Sequence, residues 1–202
     1  MTLYALKPRF QALLRPAAGA LARGGVTANQ VTVVAAALSV AVGATVAWRL
    51  PDTHAFLLIP AWLAVRMALN ALDGMLAREH GQRSRLGAYL NELCDVVSDV
   101  ALVLPFAWLA PFSAAWTVAT IVLAILAEYA GAMGPLAGAS RRYDGPMGKS
   151  DRALVFGALA LWAGLAPLPA WLAWAMPAVA TLCAVTLVNR VRGGLGEGGA
   201  AR

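Results

Sequence analysis

The chain has little charge and few of the residues that soluble enzymes use for catalysis. Only 13% of its 202 residues are charged, 10 are acidic and 2 are histidine. An ordinary soluble domain carries about a quarter of its residues as charges, so that class is excluded. His54 and His80 lack the partner spacing of a metal site and read as solvated loop histidines. Cys94 and Cys183 sit in apolar surroundings with no ligand spacing, and read as two small buried hydrophobes. No Ser-His-Asp spacing, Walker loop or dinucleotide fingerprint stands in a usable context. Near the start, no short apolar run ends in a small-residue cleavage site, which predicts no cleaved signal peptide.

What is present is apolar length. Hydrophobic residues make up 60% of the chain, mean hydropathy is +0.68 and the net charge is +6. Together these predict an all-α membrane protein. Six apolar stretches, 31–48, 54–78, 86–109, 114–136, 153–165 and 171–188, are read as transmembrane helices. The fifth is short unless Ser150 and Asp151 begin the helix. Residues 1–25 read as an N-terminal interfacial amphipathic helix: Leu3, Tyr4, Leu6, Phe10, Leu13 and Leu14 lie on one side and Lys7, Arg9 and Arg15 opposite. Pro8 and Pro16 are expected to break or kink it. Thr27 and Asn29 offer N-cap chemistry for the first span. A glycine-rich tail, 193–202, is expected to be disordered, leaving one membrane domain over 1–192.

A basic chain raises the question of nucleic acid, but the cations are distributed as membrane topology demands. With both termini in the cytoplasm, all 16 lysines and arginines except Arg49 and Arg66 fall on the cytoplasmic side. Arg66 and Glu128 lie inside spans, where each alone would cost several kcal/mol. A mutual ion pair, or Arg66 against Asp99, is the expected answer. Several of the tryptophans stand at span ends, as an interface belt requires.

The acids that remain are concentrated between Asn70 and Asp99. Asn70 and Asp73 are three apart, and Asn91, Asp95 and Asp99 follow at intervals of four, so on helices each set occupies one face. A short polar turn from Gly81 to Arg85 would bring the two faces together. Hard oxygen donors beside Arg78 point to a divalent cation carrying a phosphate-rich substrate.

This stretch resembles the signature of the CDP-alcohol phosphotransferases, D-x-x-D-G-x-x-A-R, eight residues, then G-x-x-x-D-x-x-x-D. Asn70, Asp73, Gly74, Ala77, Arg78, Gly87, Asn91 and Asp95 keep every spacing, with asparagine in the places of the first and third acids. The segment from Val26 to Thr32 is similar to the polar entry that precedes the family's first span.

The resemblance implies an enzyme of phospholipid synthesis in a bacterial inner membrane. It would move a phosphatidyl group from CDP-diacylglycerol to an alcohol acceptor and release CMP, with one or two Mg²⁺ or Mn²⁺ ions. A homodimer is expected on the same basis. Asp73, Asn70, Asn91 and Asp95 would face the metal, and Asp95 would also act as general base. Gly74, Arg78 and Gly87 would meet nucleotide and phosphate, and Lys149 and Arg152 the acceptor or its phosphate. Asp99, one turn deeper, is the candidate to replace a missing charge. Three other readings stay open at this point: a soluble CDP-alcohol donating to diacylglycerol, a non-catalytic lipid-nucleotide binder, and a small transporter.

Overall fold

The computed structural model describes residues 6–200, with side chains from Phe10 to Glu197. Leu3 and Tyr4 of the expected interfacial helix, and Arg202, lie outside the described residues. Seven helices and no strand are found among the described residues: α1 (Leu6–Arg23), α2 (Ala28–Arg49), α3 (Leu58–Glu79), α4 (Arg85–Val103), α5 (Ala114–Ala132), α6 (Lys149–Leu165) and α7 (Ala175–Ala200). Among the described residues, four stretches are long and apolar enough to cross a membrane: Ala28–Arg49, Thr53–Glu79, Ala114–Ala132 and Ala170–Glu197. The helices α4 and α6, expected as spans, occupy the sequence positions foreseen, but α4 carries the acids and α6 has only 17 residues.

Local chemistry sets the helix starts. Thr27 caps α2 in a capping box, its hydroxyl accepting from Gln30 N while the Gln30 side chain accepts from Thr27 N. Ser84 caps α4, its Oγ accepting from Gly87 N at 2.9 Å. At α6, Asp151 Oδ2 accepts from Gly148 N at 3.0 Å, so Ser150 and Asp151 do begin that helix. At its other end His54 Nδ1 lies 2.9 Å from the Gly164 carbonyl oxygen. His54 therefore satisfies an end-of-helix carbonyl and is not simply solvated.

Two expectations change. Proline leaves α1 in one piece, with Pro16 inside it; Leu14, Ala18 and Leu21 fasten it along Leu69, Leu72 and Met75 of α3, and that packing offsets the lost hydrogen bond. Beyond Gly193, α7 continues as helix to Ala200, where disorder was expected. Glu197 ties it down, accepting from Ser140 N at 3.1 Å and Ser140 Oγ at 2.9 Å and pairing with Arg142.

The hydrophobic core concentrates at the end remote from the Asn70–Asp99 stretch. Phe106 packs edge-on against Phe56 at 5.1 Å and Phe112 at 5.6 Å, and tilted against Phe156 at 5.6 Å. Trp48, Trp108, Trp171 and Trp174 are exposed at that same end. The polar end is thus held by a firm apolar base.

Gly43 sets how closely α2 approaches α4. A Cβ built there would overlap the Ala101 carbonyl, a backbone group with no freedom to move aside. Gly43→Ala is expected to push α4 outward and destabilise the protein by about 1–3 kcal/mol, read as a lower melting temperature in detergent. Because α4 carries Asn91 and Asp95, activity should fall with it.

Candidate active site

Helices α3 and α4 run antiparallel through the turn at His80–Ser84, which places Asp73 and Asn91 across from one another near that turn. Gln82 staples the turn to α2: its Oε1 accepts from Ala28 N at 2.7 Å and its Nε2 donates to Val26 O at 3.3 Å. Between α2, α3 and α4 opens a cavity of about 500 Å³, within the range of small-ligand sites. Asp73, Gly74, Ala77, Arg78, Gly87 and Asn91 line it, together with Asn29, Thr32 and Glu92. Asn70 and Asp95 lie one turn deeper on the two helices, beyond the lining.

Asp73 is the buried acid of this cavity, 6% exposed. Thr32 of α2 donates to its Oδ2 at 2.8 Å. No basic group pairs with it among the described residues. Arg78 is exposed on the cavity wall and also makes no ion pair among the described residues, so its guanidinium is available to phosphate. The glycines have local reasons too. A Cβ on Gly87 would come within 2.7 Å of Asn29 Oδ1, and one on Gly74 within 2.9 Å of Arg78 Nη2. Without side chains there, α2 closes on α4 and Arg78 folds back over α3.

Asp95 has a different setting. Arg66 Nη2 donates to its Oδ1 at 3.2 Å and Lys149 pairs with its Oδ2. Arg66 Nη1 reaches Asp99 Oδ1 at 2.7 Å, Arg152 Nη2 reaches Asp99 Oδ2 at 3.1 Å and Glu128 Oε1 at 2.9 Å, and Arg190 Nη1 reaches Glu128 Oε2 at 3.1 Å. Lys149, Asp95, Arg66, Asp99, Arg152, Glu128 and Arg190 therefore form one line of alternating charge across α3 to α7. Of the two partners expected for Arg66, Asp99 is the one found.

This line relocates two expected contributors. Asp99, proposed to replace a missing charge, is engaged by Arg66 and Arg152 and faces a second, apolar cavity, so it lends none to the first. Arg152 is 4% exposed, its Nη atoms held by Asp99, Glu128 and the Met147 carbonyl. It supports the site from behind. Lys149 stands at the front, beside Asp95.

Three contributors escaped the sequence. Thr32 lies in the polar entry segment, which was the signal for it. Glu92, the neighbour of Asn91, lines the cavity and pairs with Arg141 of the loop between α5 and α6. Gln82 appeared only as part of a polar turn.

Chemically, one carboxylate without a basic partner, two nearby amides and an exposed guanidinium suit a hard divalent cation whose remaining positions would come from substrate oxygens. Among the described residues, no three acids, histidines or cysteines converge.

Comparison with known proteins identifies the family. The chain is 45% identical over 196 residues to the inner membrane protein YnbA of Escherichia coli, covering 95% of this chain and 96% of that one. It is 32% identical to the phosphatidylinositol phosphate synthase of Mycolicibacterium smegmatis, over 89% of this chain and 82% of the relative. Among solved structures, the Mycobacterium tuberculosis phosphatidylinositol phosphate synthase PgsA1 with CDP-DAG bound superposes with a TM-score of 0.75 at 25% identity, covering 93% of this chain and 96% of that chain. The same enzyme in complex with manganese and citrate also gives 0.75, covering 93% and 91%. Residues 25–188 match the family model for CDP-alcohol phosphatidyltransferase. With that match spanning most of its length and six of the eight signature residues lining its cavity, the chain belongs to the CDP-alcohol phosphatidyltransferase family.

Proposed function

We propose that the protein transfers a phosphatidyl group from CDP-diacylglycerol to an alcohol acceptor and releases CMP. The observation that carries this is the cavity itself: Asp73 and Arg78 share its wall, with Asp95 one turn below. CDP-DAG bound to the structurally similar mycobacterial enzyme supports this choice of donor.

In this reading Asp73 would hold Mg²⁺ or Mn²⁺, with the amide oxygens of Asn70 and Asn91 beside it. When bound, the ion neutralises the diphosphate and the charge gathering on departing CMP. Arg78 grips phosphate, while Gly74 and Gly87 let the nucleotide lie close to the helices. The acceptor oxygen forms a bond to the phosphorus that bears diacylglycerol as the bond from that phosphorus to the CMP oxygen breaks. The electron pair leaves with CMP, and the acceptor proton passes to Asp95. Lys149, paired with Asp95, would meet the acceptor or its phosphate, and Arg152 braces that end through Asp99, Arg66 and Asp95.

The membrane placement belongs to the same proposal: six spans in a bacterial inner membrane, both termini and the site on the cytoplasmic side, α1 in the headgroup plane, and a homodimer. The cation distribution and the tryptophans at the far end support the orientation.

The test is an acceptor screen with purified protein and CDP-diacylglycerol, reading CMP and the mass of the lipid product together. CMP release that requires both Mg²⁺ or Mn²⁺ and an alcohol is the expected result. Nucleotide binding with no CMP formed under any acceptor would overturn it.

The asparagines make a further prediction. Asn91→Asp adds a full charge at the cavity wall and is expected to tighten Mn²⁺ binding about tenfold or more, since a second charge about 4 Å away contributes about 1–4 kcal/mol. Titration with Mn²⁺ measures it, and an unchanged affinity would remove Asn91 from the ion's surroundings.

A further inference from the structure

The two acids of the signature are furnished differently, and the difference has a chemical meaning. Asp73 receives a neutral donor, the Thr32 hydroxyl at 2.8 Å. Asp95 receives two cations, one on each oxygen: Arg66 on Oδ1 and Lys149 on Oδ2. Arg66 is 4% exposed and fixed by Asp99 as well, so it cannot swing away. Lys149 is the first residue of α6, and its position is set where Asp151 ties the Gly148 amide.

We propose that Lys149 is a built-in cation for Asp95, so that the site takes a single divalent ion, on the Asp73 side, with the ammonium group standing where a second ion would have to sit. The inference rests on the metal-site reading above and goes beyond it by assigning the ion's number and what limits it. Charge is the reason. A dication brought to Asp95 would meet an ammonium and a guanidinium already in contact with both carboxylate oxygens, and each adjacent position that an acid could occupy, Asn70 and Asn91, is a neutral amide. The line of alternating charge runs from Lys149 to Arg190 with four cations against three acids, so it has no unspent negative charge to offer. Asp73 is outside that line, and among the described residues it remains the cavity's acid without a basic partner, Glu92 being paired with Arg141.

The arrangement also ties the cation count to the fold. A divalent ion would be exchangeable, whereas an ammonium carried on α6 is permanent. Asp95 therefore stays in one orientation in the absence of metal, and a positive group faces the acceptor's side of the reaction throughout the cycle.

Manganese itself is the probe, because binding can be counted without turnover. Intact protein in detergent with CDP present is titrated with Mn²⁺, and bound metal is followed by electron paramagnetic resonance. The wild type is expected to bind one Mn²⁺ per chain with an isolated-ion spectrum. Asn91→Asp alone should still bind one, more tightly. Asn91→Asp combined with Lys149→Ala should bind two, with the broadened spectrum of exchange-coupled ions, and Asn91→Asp with Lys149→Arg should return to one. Lys149 is a third exposed, so its truncation leaves no buried void. Two Mn²⁺ per wild-type chain would overturn the proposal, as would two in Asn91→Asp with Lys149 intact, or one in the Lys149→Ala combination. A wild type that binds one Mn²⁺ yet never forms CMP would sink the transferase reading and leave this inference standing.

Discussion

Asp95→Asn is expected to abolish CMP release while leaving the fold in place. The amide keeps an oxygen for Arg66, and Arg66 keeps Asp99 at 2.7 Å, so the buried guanidinium does not lose its compensation. What disappears is the carboxylate paired with Lys149 one turn below the cavity, and with it the group proposed to take the acceptor's proton. General-base removal costs about 10²–10⁴-fold in rate. The measurement is CMP formed per chain under saturating donor, accompanied by Mn²⁺ binding and a thermal melt. Intact melting and one bound Mn²⁺ with lost turnover are the expected combination. Turnover within a few-fold of wild type would show that another group accepts the proton.

The two neighbouring asparagines sharpen that expectation. At Asp73 the carboxylate meets a hydroxyl, and at Asp95 it meets cations, so the two acids are not interchangeable despite their equivalent places in the signature. Asp73→Asn should therefore act on metal and donor, visible as lost Mn²⁺ binding, whereas Asp95→Asn should act on the chemical step. A neutral amide at positions 70 and 91 lowers the negative charge that a diphosphate would face, and Arg78, without an acid partner among the described residues, raises the positive charge beside it. On the proposed reading the cavity would recognise a polyanion through fixed protein cations as well as through metal.

Much of this was written in local chemistry. The helix starts at Ala28, Arg85 and Lys149 follow from Thr27, Ser84 and the Gly148–Asp151 tie, each readable within four residues. The signature was legible because helical spacing fixes which side chains share a face, and Asp73, Arg78, Gly87 and Asn91 do line one cavity. What local reasoning could not reach was set by partners distant in sequence. The stretch after Gly193 has the composition of a disordered tail, yet Glu197 accepts from Ser140, 57 residues away, and pairs with Arg142. Pro16 should interrupt a helix, but the groove against α3 decides otherwise. Asp99 has the right spacing to join the site, and its rotation toward Arg66 and Arg152 takes it out. Arg152 itself was expected to meet substrate; burial against two acids gives it a supporting place instead.

Glu128 carries the largest expected effect on stability. It is the sole acid on α5 within the charge line, and it faces Arg152 at 2.9 Å, Arg190 at 3.1 Å and Arg141 at 3.9 Å. Arg152 and Arg190 are 4% and 3% exposed. Glu128→Ala removes the one acid paired with Arg190 among the described residues and one of two paired with Arg152, leaving buried cations short of charge, which costs about 3–5 kcal/mol. In a melt of purified protein that is a fall of the order of 10 °C, given about 2–4 °C per kcal/mol for chains of this size. Reversal should be possible without restoring the acid. Glu128→Leu with Arg190→Met replaces the outermost pair by apolar side chains of similar bulk, and the remaining line, Lys149, Asp95, Arg66, Asp99 and Arg152, ends on Arg152 with Asp99 still bound. The double variant is expected to recover most of the lost melting temperature, because a buried pair exchanged for apolar packing is close to neutral whereas half a pair is not. Equal losses in the single and double variants would mean that Glu128 acts through its packing against α6 and α7 and not through charge.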